Sequence, residues 1–469
     1  MISKKLLSKI GKCSVPAFAF MGTMILSSAF AMDPDEKPVP RFPNFSEIMS
    51  ATVGGESAAQ LQREIDSLQR KLLLLQIKDY VSSKGLSEDE VRALESAAIE
   101  CLDFYQRNEE LRKSHFGYPA NMVLRSPAVD FFRLMETNGF LANNCGDVFE
   151  SGNYQMDSKK IERDILKLFA EKFGLKKYWG YLTSGGSESN AWAINTAFKK
   201  NPEGILYYCE AAHYSIPKNA ASYRHQVIPQ VSDTNESINC DILLREVEKN
   251  YRETGRPANI ILSWGTTKFG SCDDVKRITD FLIRNRIPYY VHVDAAMFGG
   301  IPVNQIDAPI ITNVDDLHID SISVSLHKYI GVPVVKSVLL STGSSYGSMI
   351  DYIGQTDSTT CGSRDIMPFS MRQQVIDILH HSNPEDYIRN VRFFEVLLKE
   401  RKVPYIRDGK SNTFVIDAPN EELCKKYQLS CFTDKKGHPK AHIIIFPYQS
   451  REAIIKLADD LRATMKVQK

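Results

Sequence analysis

The sequence predicts an α/β protein with a mostly parallel sheet covered by helices on both faces, followed by a small C-terminal α+β domain. From about residue 157, short β-branched or aromatic runs alternate with amphipathic helical stretches, a pattern typical of βαβ units. Parallel sheets built from such units carry helices on both faces. Beyond about Met371 the alternation gives way to a long helical region, two strand-like runs and a closing helix.

The elements of the α/β part follow one another in a regular order. The helical patterns are SKKIERDILKLFAEKFGL, ESNAWAINTAFKK, ILLREVEKNYRETG and DDVKRITDFLIRN. The strand-like runs are YWGYLT, GILYYCE, NIILSWGT, YYVHVDAA and SISVSLH. The C-terminal part adds the strands NTFVIDA and HIIIFPY and the helix SREAIIKLADDLRATMK.

The N-terminal segment has the features of a bacterial secretory signal. A basic stretch, an apolar stretch and the A-x-A sequence ending at Ala31 precede the acidic MDPDEKP, in the order of a signal peptide and its cleavage site. We therefore expect residues 1–31 to be removed and the protein to be exported, periplasmic or secreted. An uncleaved anchor, or an unprocessed tail on a cytoplasmic protein, is the alternative.

The remaining chain is expected to form three parts. Residues 32–115 comprise a Pro-rich linker and a helical segment, which includes an extra helix near 57–80. A second helix is predicted after Ser87, which with Glu90 resembles a capping box. Residues 116–375 form the large α/β domain and residues 376–469 the small domain.

Composition limits the classes of partner. The 469-residue chain is 43% hydrophobic and 25% charged, with a formal net charge of +1, so neither nucleic acid nor an anionic membrane surface is indicated as a partner. No metal-ligand spacing of Cys and His occurs. The nine cysteines are scattered without a disulfide framework, and several, such as Cys209, lie in apolar runs.

Polar residues collect where the predicted parallel strands end, which is where such sheets bind ligands. They are the turn Thr183–Ser189, His213, Thr266 with Thr267, Asp294 and Lys328. Each has an ordinary interpretation: a tight N-capped turn, a packed or surface histidine, a solvated lysine where a strand surfaces. Asp294 follows a very apolar strand, where an unpaired carboxylate is costly, so a cationic partner is expected.

Together these residues match the needs of one cofactor. The Gly-Ser turn before a helix suits a phosphate, His213 suits a flat ring, Asp294 suits a ring nitrogen and Lys328 suits an aldehyde. Pyridoxal phosphate carries all four groups. The combination predicts a pyridoxal phosphate site at this edge of the sheet.

The motifs also resemble those of a known family in their order along the chain and in their residues. They are similar to the group II pyridoxal-phosphate-dependent decarboxylases of fold type I, closest to the branch with bacterial histidine decarboxylase and plant serine decarboxylase. The matching segments are HFGYPAN, NNCGDVFESGNYQMDS, YWGYLTSGGSESN, GILYYCEAAHYSIPK, GTTKFGSCDD, VHVDAAMFGG, SVSLHKYIG, CGSR and FPYQ.

The resemblance implies a role for each matching residue. Lys328 would bond to the cofactor aldehyde, Asp294 would pair with the ring nitrogen, and His213 would stack on the ring. The remaining positions are the phosphate contacts Ser184, Gly185 and Ser187, the neighbouring Ser325 and His327, the ring-packing Ala296, and the pocket residues Thr267 and Tyr118.

The implied activity is α-decarboxylation of an L-amino acid, histidine first, by a homodimer with active sites at the subunit interface. Serine or another small or aromatic substrate, a different lyase or deaminase chemistry, and an inactive secreted scaffold are the alternatives. The departures from the family pattern include Leu326 in place of the usual Gly, Asp365 in place of the usual Asn, and both Cys145 and the extra small residue Gly152 near the expected pocket.

Overall fold

The computed structural model describes residues 87–122, 143–343, 347–365 and 368–467. The predicted signal segment and the helix near 57–80 lie outside these residues. The chain divides into two units, Met1–Glu109 and Glu110–Lys469. The domain boundaries expected from the sequence stay predictions.

The described part of the first unit is the N-terminal portion of helix α1 (Glu88–Lys113). The predicted capping box is present at its start. The backbone amide of Ser87 donates to Oε2 of Glu90 over 2.8 Å, and the amide of Glu90 faces Oγ of Ser87 at 3.4 Å. Two amide groups that the helix cannot satisfy are thereby paired, which fixes where α1 begins.

The second unit is built on a seven-stranded sheet. Its strands are β1 (Trp179–Thr183), β2 (Ile205–Cys209), β3 (Val227–Gln230), β4 (Ala258–Ser263), β5 (Tyr289–Asp294), β6 (Ser321–Ser325) and β7 (Ser337–Ser341). The spatial order is β1-β7-β6-β5-β4-β2-β3. The confirmed fold class is therefore α/β, with a mostly parallel sheet.

Strand β7 is the exception to the parallel arrangement. It pairs antiparallel with both β1 and β6, so that Ser337 lies opposite Thr183 on one side and Ser325 on the other. The sequence reasoning missed this strand, as it missed the edge strand β3. Because β7 lies between them, β1 and β6 run in the same direction and end at the same edge of the sheet.

Helices cover the sheet. They are α2 (Lys159–Phe173), α3 (Gly186–Lys200), α4 (Ser215–Ala220), α5 (Cys240–Thr254), α6 (Val275–Arg284), α7 (Val314–Leu317), α8 (Pro368–His381) and α9 (Asp386–Glu400). Every residue of β1, β2, β4, β6 and β7 is buried. Both faces of these strands are therefore packed, as expected of a doubly covered sheet.

The C-terminal part contains a separate three-stranded antiparallel sheet in the order β10-β12-β11. Its elements are β10 (Thr413–Asp417), α10 (Glu421–Tyr427), β11 (Ser430–Thr433), β12 (Pro439–Ile444) and α11 (Arg451–Val467). A short hairpin, β8 (Ser348–Ile350) with β9 (Gln355–Asp357), precedes α8. No helix within the described residues has the length and apolar character needed to cross a membrane.

Candidate active site

The predicted site residues follow strand ends at one edge of the large sheet. Parallel pairing of β2, β4, β5 and β6 places their carboxyl ends together, and β1 joins them through β7. The turn after β1, the loop after β2, the end of β5 and the turn after β6 carry the candidates. Side chains distant in the chain thus meet at the edge where α/β sheets bind ligands.

The turn between β1 and α3 has the shape of an anion cradle. Gly185 has a φ of +117°, a conformation that side-chain-bearing residues rarely adopt. A Cβ on Gly186 would lie 3.1 Å from Oγ of Ser325. The turn therefore brings bare backbone against that hydroxyl at the N-terminus of α3, where the helix dipole favours an anion.

The serines around this turn differ in which of their polar groups are already hydrogen bonded. The backbone amide of Ser184 already donates to Oε2 of Glu188 over 2.7 Å, so the hydroxyl of Ser184 is the group it offers to a ligand. Ser184 and Ser187 are both exposed. On the opposite side, the hydroxyls of Ser325 and Ser337 are hydrogen bonded to each other at 3.1 Å.

Asp294 ends β5 with only 8% of its surface exposed. Its Oδ2 accepts a hydrogen bond from Nδ2 of Asn190 at 2.8 Å, and its Oδ1 accepts one from the backbone amide of Ala296 at 3.0 Å. Hydrogen bonds of this kind stabilise a charged carboxylate in a buried setting. Both oxygens are therefore held in place at the carboxyl end of β5.

A network of buried, hydrogen-bonded side chains is connected to this carboxylate through Asn190. His292 is fully buried on β5, and burial lowers its pKa to about 4, so its ring is neutral at physiological pH. Because Asn190 donates to Asp294, its Oδ1 must accept, and Nε2 of His292 donates to it over 3.2 Å. Nδ1 of His292 then accepts from Ser321 over 2.8 Å, and Ser321 accepts from Tyr290 over 2.7 Å. This network of hydrogen bonds fixes the orientation of the Asn190 side-chain amide.

His213 follows β2 and is held by Ser215. The backbone amide of Ser215 donates to Nδ1 of His213 at 3.3 Å, and Oγ of Ser215 lies 2.8 Å from the same nitrogen. Asn190 also donates to Oγ of Ser215 over 3.0 Å. Burial lowers the pKa of His213; nearby Lys328 lowers it further, whereas Asp294 raises it. A neutral, oriented ring results.

Lys328 lies in the turn after β6. Its backbone amide donates to the carbonyl of Ser325 at 3.2 Å, and its carbonyl accepts from the amide of Asn121 at 2.8 Å. Burial lowers the pKa of Lys328, and Asp294 acts in the opposite direction. Gly331 closes the turn at a φ of +75°, and a Cβ there would lie 2.1 Å from the carbonyl oxygen of Asn121. A lowered pKa leaves a larger fraction of a lysine amine unprotonated, which is the form that reacts with an aldehyde.

Two departures from the family pattern surround this turn. Leu326 is fully buried in the hydrophobic core, and its amide donates to the carbonyl of Lys336 at 2.8 Å. His327 also faces that carbonyl, with Nδ1 at 3.2 Å. Lys336 is itself only 5% exposed, and its ammonium pairs with Asp365 at 2.5 Å. The carboxylate of Asp365 is thus matched by a buried cation.

Gly152 is explained by packing. A Cβ at this position would lie 2.3 Å from the carbonyl oxygen of Ile353 and within 2.9 Å of the side chain of Gln355. The extra small residue lets the segment before α2 lie against the β8–β9 hairpin. The close contact between these two segments therefore explains why residue 152 is a glycine.

Two predicted pocket residues, Thr267 and Tyr118, are exposed. Thr267 is exposed in the loop after β4. Tyr118 is 51% exposed, and its ring contacts that of His115 with centroids 6.1 Å apart. Within the described ranges, no hydrogen bond or ring contact joins either residue to the other candidates. Ala296, in contrast, is buried, and its Cβ lies 3.8 Å from the Cβ position of Gly186.

The sequence reasoning missed Asn190, Ser215 and His292. A signal for His292 was available, because alternation along β5 places residues 292 and 294 on the same face. Asn190 lies in the quoted segment SGGSESN, but its link to Asp294 depends on the packing of α3 against the sheet.

The described residues contain no cluster of His, Cys, Asp and Glu that could hold a metal ion. A cavity of about 550 Å³ lies at the opposite edge of the sheet, bordered by Lys200, Tyr289 and Asp320. None of the predicted site residues borders this cavity, so it is a different place from the site described above.

The donors at the ligand edge fit pyridoxal phosphate. The glycine turn with its hydroxyls suits the phosphate, the held carboxylate of Asp294 suits a protonated ring nitrogen, and the amine of Lys328 suits the aldehyde. The charges of Asp294 and Lys328 both act on the pKa of His213, so the ring lies near both groups. All the required groups are therefore present in one connected arrangement.

Comparison with known proteins agrees with this chemistry. Residues 165–348 match the model of the pyridoxal-dependent decarboxylase conserved domain. Serine decarboxylase 1 of Oryza sativa subsp. japonica is 30% identical over 388 residues, covering 78% of this chain and 76% of that protein. Histidine decarboxylase of Vibrio campbellii is 31% identical over 360 residues, covering 74% and 89%.

A solved structure shares the fold. L-Methionine decarboxylase from Streptomyces sp. 590 superposes with a TM-score of 0.65 at 21% identity, covering 81% of this chain and 96% of that chain. With the site geometry and the relatives in agreement, the chain belongs to the pyridoxal-dependent decarboxylase family and is a pyridoxal-phosphate-dependent amino-acid decarboxylase of fold type I.

Proposed function

We propose that the substrate is a free L-amino acid, with L-histidine preferred. The observation that carries the proposal is the convergence of Lys328, Asp294 and His213 at one sheet edge. The choice of histidine rests on the likeness to the Vibrio campbellii enzyme, most of whose length the chain covers. Serine or an aromatic amino acid is the alternative, because the Oryza sativa serine decarboxylases match to a similar degree.

Bound pyridoxal phosphate supplies an electron-accepting ring that takes up the electron pair left on the substrate when CO2 departs. Asp294 holds a proton at the ring nitrogen, and a carboxylate held by Asn190 and a backbone amide is suited to that task. His213 covers one ring face. Lys328 would hold the cofactor through its Nζ, and its lowered pKa would favour the unprotonated amine that this role needs.

The remaining residues place the cofactor. Ser184, Gly185 and Ser187 bind the phosphate at the start of α3, with Ser325 and His327 beside them. Ala296 packs against the ring, and Thr267 and Tyr118 border the substrate. Together these residues would hold the cofactor and the substrate in a fixed relative orientation.

Replacement of Lys328 tests this arrangement. Lys328→Ala should abolish the visible absorption band of lysine-bound cofactor and turnover together. Lys218→Ala, an exposed lysine on α4, is the matched control and should retain both. Turnover that persists in Lys328→Ala, under conditions where the variant is folded, contradicts the role given to this lysine.

Substrate identity is tested by assaying a panel of L-amino acids with the purified holoenzyme. The proposal expects CO2 and histamine from L-histidine, with kcat/KM higher than for serine and the aromatic amino acids. A higher value for serine would transfer the assignment to that substrate. A carbonyl compound and ammonia in place of amine and CO2 would instead indicate a lyase or deaminase chemistry.

We also propose a homodimer with active sites at the subunit interface, as the family resemblance implies. Three large apolar side chains between residues 335 and 352 are more than half exposed: Val335, Met349 and Tyr352. Val335 lies beside the cradle, with Cγ1 3.0 Å from the Cβ position of Gly185. A second subunit covering this surface would also close the cofactor edge. Sedimentation of the active enzyme as a monomer would contradict the proposal.

Export through a cleaved signal is proposed from the pattern of residues 1–31. Cell fractionation followed by N-terminal sequencing tests it. The expected result is a periplasmic or secreted protein that begins at Met32. A cytoplasmic protein that retains residues 1–31 would favour the alternative.

A further inference from the structure

Two cysteine thiols meet in the small C-terminal sheet. Cys424 lies on α10 and Cys431 on β11, and their Sγ atoms are 3.0 Å apart. Both are free thiols. Among the cysteines within the described residues, no other two are hydrogen bonded to each other through sulfur. Neither thiol belongs to the cofactor site described above.

The backbone between the two thiols is already folded into a tight connection. The amide of Leu429 donates to the carbonyl of Cys424 at 2.9 Å, and Gln428 turns the chain with a φ of +50°. A disulfide requires sulfur atoms about 2.05 Å apart. The difference is about 1 Å in total, a distance that small side-chain rotations at the two cysteines can cover.

The two thiols differ in access. Cys431 is exposed, whereas Cys424 is half-buried, and burial raises the pKa of Cys424 to about 12, with a further contribution from Cys431. An external reagent therefore meets Cys431 first. The neighbouring Cys424 is then the group placed to complete the exchange, since no diffusion is needed.

We propose that Cys424 and Cys431 form a reversible intramolecular disulfide by exchange with a low-molecular-weight disulfide such as oxidised glutathione. The thiolate of Cys431 attacks one glutathione sulfur, and the glutathione disulfide breaks to release one glutathione thiolate. Cys424, losing its proton to solvent, attacks the sulfur of Cys431 and expels the second glutathione. The protein dithiol is oxidised, one glutathione disulfide is reduced to two thiols, and both protons end on glutathione.

The position of the pair gives the disulfide a structural consequence. Oγ of Ser430 donates to the carbonyl of Gly117 at 2.9 Å, and a Cβ on Gly117 would lie 2.0 Å from the carbonyl oxygen of Gln428. Phe432 contacts Phe269 with ring centroids 6.2 Å apart. Strand β11 thus supports the segment that carries Tyr118. The disulfide would link β11 covalently to α10.

The test measures the purified holoenzyme before treatment, after oxidation with oxidised glutathione, and after subsequent reduction with dithiothreitol. Oxidation should lower the intact mass by about 2 Da, the mass of two hydrogen atoms. It should also remove two titratable thiols per chain and give a peptide linked between residues 424 and 431 after non-reducing digestion. The Tm should rise by about 2–4 °C and return on reduction.

Three variants make the result specific. Cys431→Ser and Cys424→Ser should each abolish the linked peptide and the Tm shift. Cys240→Ser, a half-buried cysteine at the start of α5, should retain both. Stable glutathione attachment to Cys431, a disulfide between two chains, or thiol loss that persists in Cys431→Ser would overturn the proposal.

Discussion

Asn190 donates a hydrogen bond from Nδ2 to Oδ2 of Asp294 over 2.8 Å, and this bond holds a nearly buried carboxylate in one orientation. Asn190→Ala removes a hydrogen bond to a charged group, worth about 1.5–3 kcal/mol. We expect cofactor affinity and kcat/KM to fall roughly 10–100-fold. Titration of the apoenzyme with pyridoxal phosphate measures the first and steady-state kinetics the second.

Asn195→Ala is the matched control for this change. Asn195 lies on the same helix but is exposed, where it accepts from the hydroxyl of Tyr223 at 2.6 Å. Its replacement should leave cofactor binding unaffected. An Asn190→Ala enzyme with the affinity of the parent protein would show that the bond does not position Asp294.

Stability should depend on pH through His292. Burial lowers the pKa of His292 to about 4, whereas an unfolded histidine titrates near about 6.5. Between these values the unfolded chain binds the extra proton, so stability is lost as the pH falls through this window, by about 3 kcal/mol for this group. His292→Gln cannot titrate there and should show a smaller loss.

The measurement is the free energy of unfolding of the apoprotein by urea at several pH values between about 7 and 4.5. His380→Gln, an exposed histidine on α8, should keep the parent pH dependence. The same slope in His292→Gln and the parent protein would contradict the assignment of a buried neutral ring.

The cradle should not tolerate a side chain at Gly185. Gly185→Ala places a Cβ 3.0 Å from Cγ1 of Val335 on a backbone with a φ of +117°, a strain of about 1–3 kcal/mol. We expect cofactor affinity to fall roughly tenfold or more. Gly343→Ala, whose Cβ meets no atom within 4 Å, is the control, and equal affinities in the two variants would refute the cradle.

Lys336 and Asp365 should be coupled in their contributions to the free energy of unfolding. Asp365→Ala leaves the buried ammonium of Lys336 without that carboxylate, and since Asp365 is half exposed we expect a loss of about 1 kcal/mol in unfolding free energy. Lys336→Met added to Asp365→Ala should recover part of it. A double-mutant cycle measures the coupling energy, and strictly additive effects would rule it out.

Much of the fold could be predicted from the sequence because its strands and helices alternate at lengths that favour βαβ units. Strand β7 could not be predicted in this way. It follows β6 after the short connection 326–336, which contains no helix, and its other partner, β1, comes from a distant part of the chain. Non-local pairing of this kind leaves no local pattern.

Some residues of the candidate site could likewise be predicted from the sequence, and others could not. Lys328 and Asp294 could be identified because an ionisable group at the end of an apolar strand is unusual. His292, in contrast, lies inside a strand, and the alternation that places it on the same face as Asp294 does not reveal which groups it bonds to. Only the packing of α3 against β5 brings Asn190 to it. Both roles depend on tertiary contact.

The pairing of Thr183 with Ser337 has a consequence for folding. The segments that hold the two ends of the cofactor, the cradle after β1 and the turn after β6, face each other only once β7 has inserted between those strands. Contacts between segments so distant in the chain form slowly. High-affinity cofactor binding should therefore be among the last properties gained during refolding, and the recovery of the visible band would report completion of the whole sheet.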